Sequence, residues 1–383
     1  VSPTSKTVTY GSTYGSLPSP SRTGHTFQGW YTAASGGTRI QSTSTVTTAA
    51  NHTLYARWTV NNYTATFNSN GGSTASPQTI RRAYGSQLGT LPTTSRTGYT
   101  FQGWYTAASG GSKISTTTTM PAGGATYYAH WTINSYTATF NSNGGSTASP
   151  QTIRRAYGSQ LGTLPTTSRT GYTFQGWYTA ASGGSKISTT TTMPAGGATY
   201  YAHWTGNTYY VAYNGNGATG GSTATSTHRY GTASALRANG FVKNWPNGGG
   251  GTIRWSFRNW NRNAAGTSTS YSNRQSVTNL ATSGTVTLYA QWTFNNATGV
   301  MGGSNDVNMR TGPGSGYANI GGSTWPTYAV RGANCTITNA AYQNYGSSGT
   351  LWLYVTCAAR NLQVDTALGT KTGWVSGDYV RIN

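Results

Sequence analysis

The amino-acid sequence predicts a mainly all-β protein with little helix, built from tandem repeats. Residues 63–132 recur without a single difference at 136–205, and such a period marks an array of small domains. Within a repeat, segments such as Tyr-Thr-Ala-Thr-Phe alternate large and small residues and then meet Asn- and Gly-rich turns, which is typical of strands. No window shows sustained helical spacing, so we expect at most one short helical turn per repeat, near Gly-Ser-Gln-Leu-Gly-Thr-Leu-Pro.

Each repeat contains three recognisable strand segments in a fixed order. The opening segment is Tyr-Thr-Ala-Thr-Phe, the central one is Gly-Tyr-Thr-Phe-Gln-Gly-Trp-Tyr, and the closing one is Tyr-Tyr-Ala-His-Trp or Leu-Tyr-Ala-Arg-Trp. The same pattern of segments can be aligned towards the N-terminus as far as Val1 and, in divergent form, towards the C-terminus over a fourth repeat. The predicted domains are a truncated repeat 1 at 1–60, repeat 2 at 61–133, repeat 3 at 134–206, a divergent repeat 4 with an insertion at 207–295, and a last domain at 298–383.

The first repeat lacks a counterpart of the opening strand. Val1 aligns with Ala75, so the segment equivalent to Tyr63–Thr74 is absent from repeat 1. A sheet that lacks a strand exposes an unpaired edge and part of its core. We expect a strand from a neighbouring subunit, most plausibly from its C-terminal region, to fill the gap and generate a head-to-tail polymer. The alternative is a tandem-repeat protein whose upstream sequence is simply missing here.

The charge composition excludes several kinds of chemistry. The chain has 24 Lys and Arg against 3 Asp and Glu, and all three acids, Asp306, Asp365 and Asp378, follow residue 300. Paired-acid glycosidases and acidic Ca²⁺ or Mg²⁺ sites are therefore excluded from the first three hundred residues. A basic surface can attract cell-wall or other anionic polymers, and nucleic acid only nonspecifically. No apolar run approaches the length that crosses a bilayer, so no membrane insertion is expected.

Aromatic residues recur at one register and are the predicted core. A repeat with few aliphatic side chains must bury its large rings, although the same rings could form a glycan platform. In the inserted segment of repeat 4, Trp245 and Trp255 are the candidates for a ligand-facing role. The predicted structural core consists of Phe27, Trp30, Trp58, Phe101, Trp104, Trp131, Phe174, Trp177, Trp204, Phe257, Trp260 and Trp292.

The sequence motifs shared by the repeats resemble the Listeria-Bacteroides repeat, the B-repeat family of internalin-like surface proteins. The hallmarks are the early Asn-Gly-Gly, the central Gly-Trp and the closing Leu-Tyr-Ala-x-Trp. The resemblance covers residues 1–294 and implies a compact β-grasp-like module, strung in tandem on bacterial surface and secreted proteins. It implies no catalytic residues.

The last domain resembles a bacterial SH3 domain. Residues 307–321 look like its opening, Trp352–Val355 occupy the place of its central strand, and Gly373–Val380 look like its closing strand and turn. The resemblance implies a small β-barrel that binds peptide, glycan or protein. Cys335 and Cys357 lie in strand-like segments of this domain, so we expect a disulfide; two buried free thiols are the alternative.

No catalytic, metal or cofactor site is expected. His130 and His203 stand where repeats 1 and 4 have Arg57 and Gln291, which cannot replace an imidazole ligand. No histidine follows residue 228 that could serve a cysteine nucleophile near the C-terminus. The sequence therefore predicts a secreted or cell-surface bacterial structural protein, a subunit of a fibre or filament that assembles non-covalently through β-strand pairing. The alternative is a cell-wall- or glycan-binding adhesin with a repeat stalk and an SH3-like binding module.

Overall fold

The computed structural model describes residues 4–246, 250–301, 307–309, 328–329, 333–345, 348–361, 366–376 and 380–382. Every regular element in these ranges is a β-strand, which confirms the all-β prediction. The segment that could have formed a helical turn, Gly85–Pro92, contains no helix. Gly85 and Gly89 have φ of 75° and 76°, a left-handed conformation that interrupts a right-handed helix, and Gln87 instead forms a β-bridge with Thr119.

The chain divides into two compact units. The first contains repeats 1 and 2 with most of repeat 3, and the second contains the rest of repeat 3, repeat 4 and the last domain. The strands of the first three repeats are β1 (His25–Tyr31), β2 (Arg39–Ile40), β3 (Tyr55–Val60), β4 (Asn62–Asn68), β5 (Thr79–Ala83), β6 (Tyr99–Tyr105), β7 (Ala125–Ile133), β8 (Ser135–Asn141), β9 (Thr152–Ala156), β10 (Tyr172–Tyr178) and β11 (Ala198–Gly206).

Repeat 2 shows the complete sheet, in the strand order β5-β4-β7-β6. Strand β4 lies parallel to β7 and antiparallel to β5, so the opening strand occupies an interior position. Alternate residues of β4 point into the core, where Ala65 and Phe67 are buried beside Trp104 of β6. Strand β11 of repeat 3 runs parallel to β8 in the same register. Whether this mixed sheet is a β-grasp stays a prediction.

Repeat 4 keeps this order and adds strands to it. Strand β12 pairs antiparallel with β14 and parallel with β20, as β4 pairs with β5 and β7 in repeat 2. Strand β17 pairs with β20, as β6 pairs with β7. The added strand β16 extends the sheet beyond β17. The strands are β12 (Thr208–Asn214), β13 (Gly220–Gly221), β14 (Ser226–Arg229), β15 (Ser234–Ala235), β16 (Phe241–Pro246), β17 (Thr252–Asn261), β18 (Ser270–Tyr271), β19 (Ser276–Val277) and β20 (Gly284–Phe294).

The last domain forms one further sheet, in the order β22-β23-β25-β24-β21-β27, with β26 also paired to β25. The disulfide expected between Cys335 and Cys357 is present and joins β24 to β25. Residues 310–321 and 377–379, which carry much of the SH3 resemblance, lie outside the described residues, so the SH3-like barrel stays a prediction. The strands are β21 (Ala297–Met301), β22 (Val307–Asn308), β23 (Tyr328–Ala329), β24 (Asn334–Tyr345), β25 (Ser348–Asn361), β26 (Thr366–Ser376) and β27 (Val380–Ile382).

Candidate functional site in the first repeat

Repeat 1 contains an open groove with a volume of about 620 Å³. Two stretches of the chain, Thr4–Val8 and Ala49–Leu54, line the groove. Trp30 and Tyr14 contribute aromatic surface to it. The groove is therefore lined by two stretches outside the strands and by part of the aromatic core.

Comparison with repeat 2 shows which strand lies at the equivalent position there. In repeat 2, β4 lies between β5 and the beginning of β7, and Ala65 faces Ile80 on one side and Ala125 on the other. The residues of repeat 1 that match these two borders are Ser5–Thr9 and His52–Leu54, and neither segment forms a strand. The open groove of repeat 1 thus corresponds to the position of β4.

Two equivalent tryptophans differ in exposure, because only one of them is covered by a residue of β4. Trp104 is only 1% exposed and packs edge to face on Phe67 of β4, with ring centroids 4.9 Å apart. Its counterpart Trp30 is half-buried and lines the groove. Both indoles donate their N–H to a proline carbonyl, Pro92 for Trp104 and Pro18 for Trp30, so the ring is held in place without the strand.

A second recurrent feature connects consecutive repeats, and we call it the inter-repeat joint. Between repeats 2 and 3, the ring of Tyr157 lies against Gly98, where a Cβ atom would overlap it. The N–H of Asn134 donates to the carbonyl of Gly98 at 2.9 Å, and the N–H of Tyr157 donates to the carbonyl of Asn134 at 2.8 Å. The same contacts recur between repeats 1 and 2 (Gly24, Asn61, Tyr84) and between repeats 3 and 4 (Gly171, Asn207, Tyr230).

Repeat 1 carries a counterpart of the joint tyrosine at Tyr10. Tyr10 matches Tyr84 and is 66% exposed, more than any other large apolar residue among those described. Repeat 4 differs at the end of its closing strand. The N–H of Asn295 donates to the carbonyl of Arg254 at 3.0 Å, and Arg254 stands where the other repeats have the joint glycine. Because a joint tyrosine packs where a Cβ would lie, repeat 4, with Arg254 at this position, does not accept one in this way. A contact of Tyr10 with repeat 4 would therefore lack the glycine packing of the internal joints.

The histidines near the closing strands have a structural role that the sequence did not reveal. Nε2 of His130 is 3.0 Å from the carbonyl of Ala107, and Nε2 of His203 is 2.9 Å from that of Ala180. The matching residues reach the matching carbonyls: Arg57 donates to Ala33 and Gln291 donates to Asn263. Three different side chains share this position because each can donate an N–H to the same turn carbonyl.

The predicted core residues differ in burial along the repeats. Trp104, Trp177 and Trp260 are fully buried, and the other nine predicted aromatic residues are partly buried. In every repeat the central Phe lies beside the closing Trp; the Phe101 and Trp131 rings, for example, are 5.3 Å apart. The glycan-platform alternative stays untested.

Trp245 and Trp255 lie in the extended hairpin of β16 and β17. Their rings are 4.9 Å apart, edge to face, and both pack against a buried cluster that includes Ile253 of the hairpin and Ile337 of the last domain. The ammonium group of Lys243 lies 5.9 Å and 5.4 Å from the two ring centroids, and burial lowers the pKa of this lysine. The ligand-facing role of the two tryptophans stays a prediction.

Comparison with known proteins accounts for the repeats. The sequence profile of the Listeria-Bacteroides repeat domain matches residues 2–57, 63–130 and 136–203, together about half of the chain. The chain belongs to this family. The profile matches span the first three repeats, and they leave repeat 4 and the last domain unmatched. No solved structure matches the chain.

Three relatives place these repeats in longer proteins. Internalin H of Listeria monocytogenes is 48% identical over 120 residues, which are 31% of this chain and 21% of that protein. A protein of Evansella cellulosilytica called a membrane protein is 32% identical over 278 residues, 73% of this chain and 40% of that protein. Another from the same organism, called a Gly-rich membrane protein, is 33% identical over 52% of this chain and 22% of its own length.

The chain thus spans two fifths or less of each of these relatives. Family and relatives together indicate a repeat protein of the cell surface or the extracellular space. In the part of the chain that the structure describes, no helix has the length and apolar character needed to cross a membrane.

Proposed function

We propose that this protein is an extracellular structural component of a bacterial surface fibre or filament, and that an extended segment of a neighbouring copy completes repeat 1. The observation that carries the proposal is the open groove. The groove lies at the position equivalent to β4. The residues on its two borders are the counterparts of the segments of β5 and β7 that pair with β4 in repeat 2. A strand entering the groove gains main-chain hydrogen bonds on both sides, and its alternate side chains enter the core.

The internal repeats define the sequence that fits. The entering strand needs a small residue at the position of Ala65, which is fully buried, and an aromatic ring at the position of Phe67, which would cover Trp30. Its preceding asparagine would accept the Tyr10 N–H, as Asn61 accepts the N–H of Tyr84. A contact of this kind is heterologous, so it does not close on itself and generates a chain of subunits.

A peptide tests the groove directly. The peptide comprises residues 61–72 of this chain and is titrated into the full protein while tryptophan fluorescence is followed. Binding of one peptide per chain with a blue shift of the emission is expected, because Trp30 becomes buried. The matched control peptide carries Asp at the position of Phe67, and it should not bind because the charge would enter an apolar core.

Sedimentation velocity then tests assembly. The protein is expected to form a concentration-dependent series of oligomers, and the peptide of residues 61–72 should dissociate them by occupying the groove. If the peptide binds while the protein stays monomeric at every concentration, head-to-tail assembly is wrong and the strand has another source. If the peptide does not bind, the groove is not a strand-binding site.

A cell-wall-binding adhesin is the second candidate, and the charge composition favours it. With 24 Lys and Arg against 3 acids, the chain would be attracted to anionic wall polymers. Retention of the protein on purified cell wall that survives about 0.5 M salt would support this function, because nonspecific attraction between exposed charges is screened there.

A further inference from the structure

Repeat 4 replaces part of the apolar repeat core with hydrogen-bonding side chains. Strand β14 pairs with β12 in the same register in which β5 pairs with β4, so Ser226 takes the place of Ile80. Tyr213 likewise takes the place of Phe67, and His228 takes the place of Arg82. Ser226 and His228 are 6% and 2% exposed. Buried polar groups are costly unless they are paired, so this change in one repeat requires a physical reason.

The three side chains form one hydrogen-bonded chain. The Tyr213 hydroxyl lies 2.9 Å from Oγ of Ser226, which lies 2.8 Å from Nε2 of His228. The Tyr213 hydroxyl also accepts the main-chain N–H of Arg237 at 2.8 Å, which leaves its own proton for Ser226. Burial lowers the pKa of His228 and favours the neutral ring, whose Nε2 accepts the Ser226 proton. Nδ1 of His228 has no hydrogen-bond partner among the described residues.

Ser226 also borders an open cavity of about 830 Å³. The hydroxyl-bearing residues Ser222, Thr223, Thr225, Thr227 and Ser234 also line this cavity. Arg237 and Arg274 belong to the lining too, together with Leu236 and three alanines. The cavity therefore combines many neutral hydroxyl groups with two positive charges.

Both arginines are particular to repeat 4. The N–H of Leu236 donates to the carbonyl of Gln275, as the N–H of Leu88 donates to that of Thr118 in repeat 2. This match places Arg237 and Arg274, the residues next to Leu236 and Gln275, where repeat 2 has Gly89 and Thr117. Both arginines are exposed, and the first three hundred residues contain no Asp or Glu that could pair with them. An oxyanion of a ligand would supply the missing counter-charge.

We propose that repeat 4 binds an oxyanion-bearing sugar or polyol in this cavity, with Arg237 and Arg274 on the oxyanion and the Ser and Thr hydroxyls, including Ser226, on the ligand's hydroxyl groups. Two guanidinium groups suit phosphate and carboxylate alike, because both offer oxygen pairs to N–H donors. The ligand can therefore be a polyol phosphate or an acidic sugar. The hydrogen bonds to Tyr213 and His228 hold the Ser226 hydroxyl in one orientation.

Isothermal titration calorimetry on the full chain at low salt tests the proposal with glycerol 1-phosphate and with glucuronic acid. Binding of at least one of the two is expected, and the stronger one identifies the source of the oxyanion. Two comparison ligands separate the contributions of the cavity: glucose lacks the charge, and inorganic phosphate lacks the polyol. Both should bind about tenfold more weakly than the preferred ligand, or not measurably.

Arg237→Gly restores the residue of repeat 2, and Arg274→Asn removes the charge with a residue that tolerates the φ of 59° at this position. Each variant should weaken binding about tenfold or more, since each removes a charge-assisted hydrogen bond. Arg154→Thr on exposed strand β9 is the charge-matched control and should leave the affinity unchanged. Equal weakening by all three variants would show attraction to net charge only and overturn the proposal. Inorganic phosphate binding as tightly as glycerol 1-phosphate, or no binding of either acidic ligand, would also overturn it.

Discussion

The inter-repeat joint makes a sharp prediction about Gly98. Its replacement by alanine introduces a Cβ atom into the space that the Tyr157 ring occupies, at a φ of 80°. The ring must move away from the backbone, and the hydrogen bond from the Tyr157 N–H to the carbonyl of Asn134 is strained or lost. Gly98→Ala should therefore destabilise the junction of repeats 2 and 3.

The size of the effect has two parts. A non-glycine residue in the left-handed region costs about 1 kcal/mol. Displacing the half-buried Tyr157 ring re-exposes roughly 100 Å² of apolar surface, which corresponds to about 2.5 kcal/mol. We expect Gly98→Ala to lower the free energy of unfolding by about 3.5 kcal/mol, the sum of these two terms.

A second glycine of the same repeat separates the two parts. Gly110 has a φ of 67°, and a Cβ atom there would meet no described atom within 4 Å. Gly110→Ala should therefore show only the backbone part, about 1 kcal/mol. In a Tyr157→Ala background, Gly98→Ala should also cost about 1 kcal/mol, because the ring that it displaces is gone. Urea unfolding followed by fluorescence and circular dichroism measures all four variants.

Equal losses for Gly98→Ala and Gly110→Ala would refute this account of the joint. So would a loss for Gly98→Ala that does not shrink when Tyr157 is removed. The first result would mean that the Tyr157 ring contributes no packing energy at the joint, and the second would place the strain elsewhere.

Three further predictions concern single side chains. His130→Gln should keep the stability within about 0.5 kcal/mol, because Gln291 donates to the matching carbonyl, that of Asn263, in repeat 4, whereas His130→Leu should lose about 1 kcal/mol in urea unfolding. Because burial lowers the pKa of His228 in the folded protein, the unfolded chain takes up a proton at a higher pH than the folded chain does. The free energy of unfolding should therefore decrease as the pH drops below the ordinary histidine pKa, and His228→Gln should reduce this decrease in acid unfolding curves. Reduction of the Cys335–Cys357 disulfide should cost about 3 kcal/mol and expose two alkylatable thiols, measured by thermal unfolding and intact mass.

The sequence by itself determined the strands and their repetition. Alternation in Tyr-Thr-Ala-Thr-Phe and the Gly-rich turns depend on neighbouring residues, so local pattern was enough to predict an all-β protein. Comparison of residues 1–60 with repeat 2 also placed Val1 opposite Ala75, beyond the opening strand. The cysteine pair could be matched because both residues lie in strand-like segments of the same domain.

Only the tertiary structure decided which distant residues meet. Gly98 and Tyr157 belong to different repeats, and no local pattern indicates that the ring lies on that glycine. The alignment placed Arg57, His130, His203 and Gln291 at one position of the repeat, but only the structure shows that each of them reaches the matching turn carbonyl. The polar chain from Tyr213 through Ser226 to His228 was equally hidden, because the pairing of β12 with β14 brings together residues that are separated by a connection containing β13. Such contacts depend on sheet register and packing, which the order of residues along a strand does not specify.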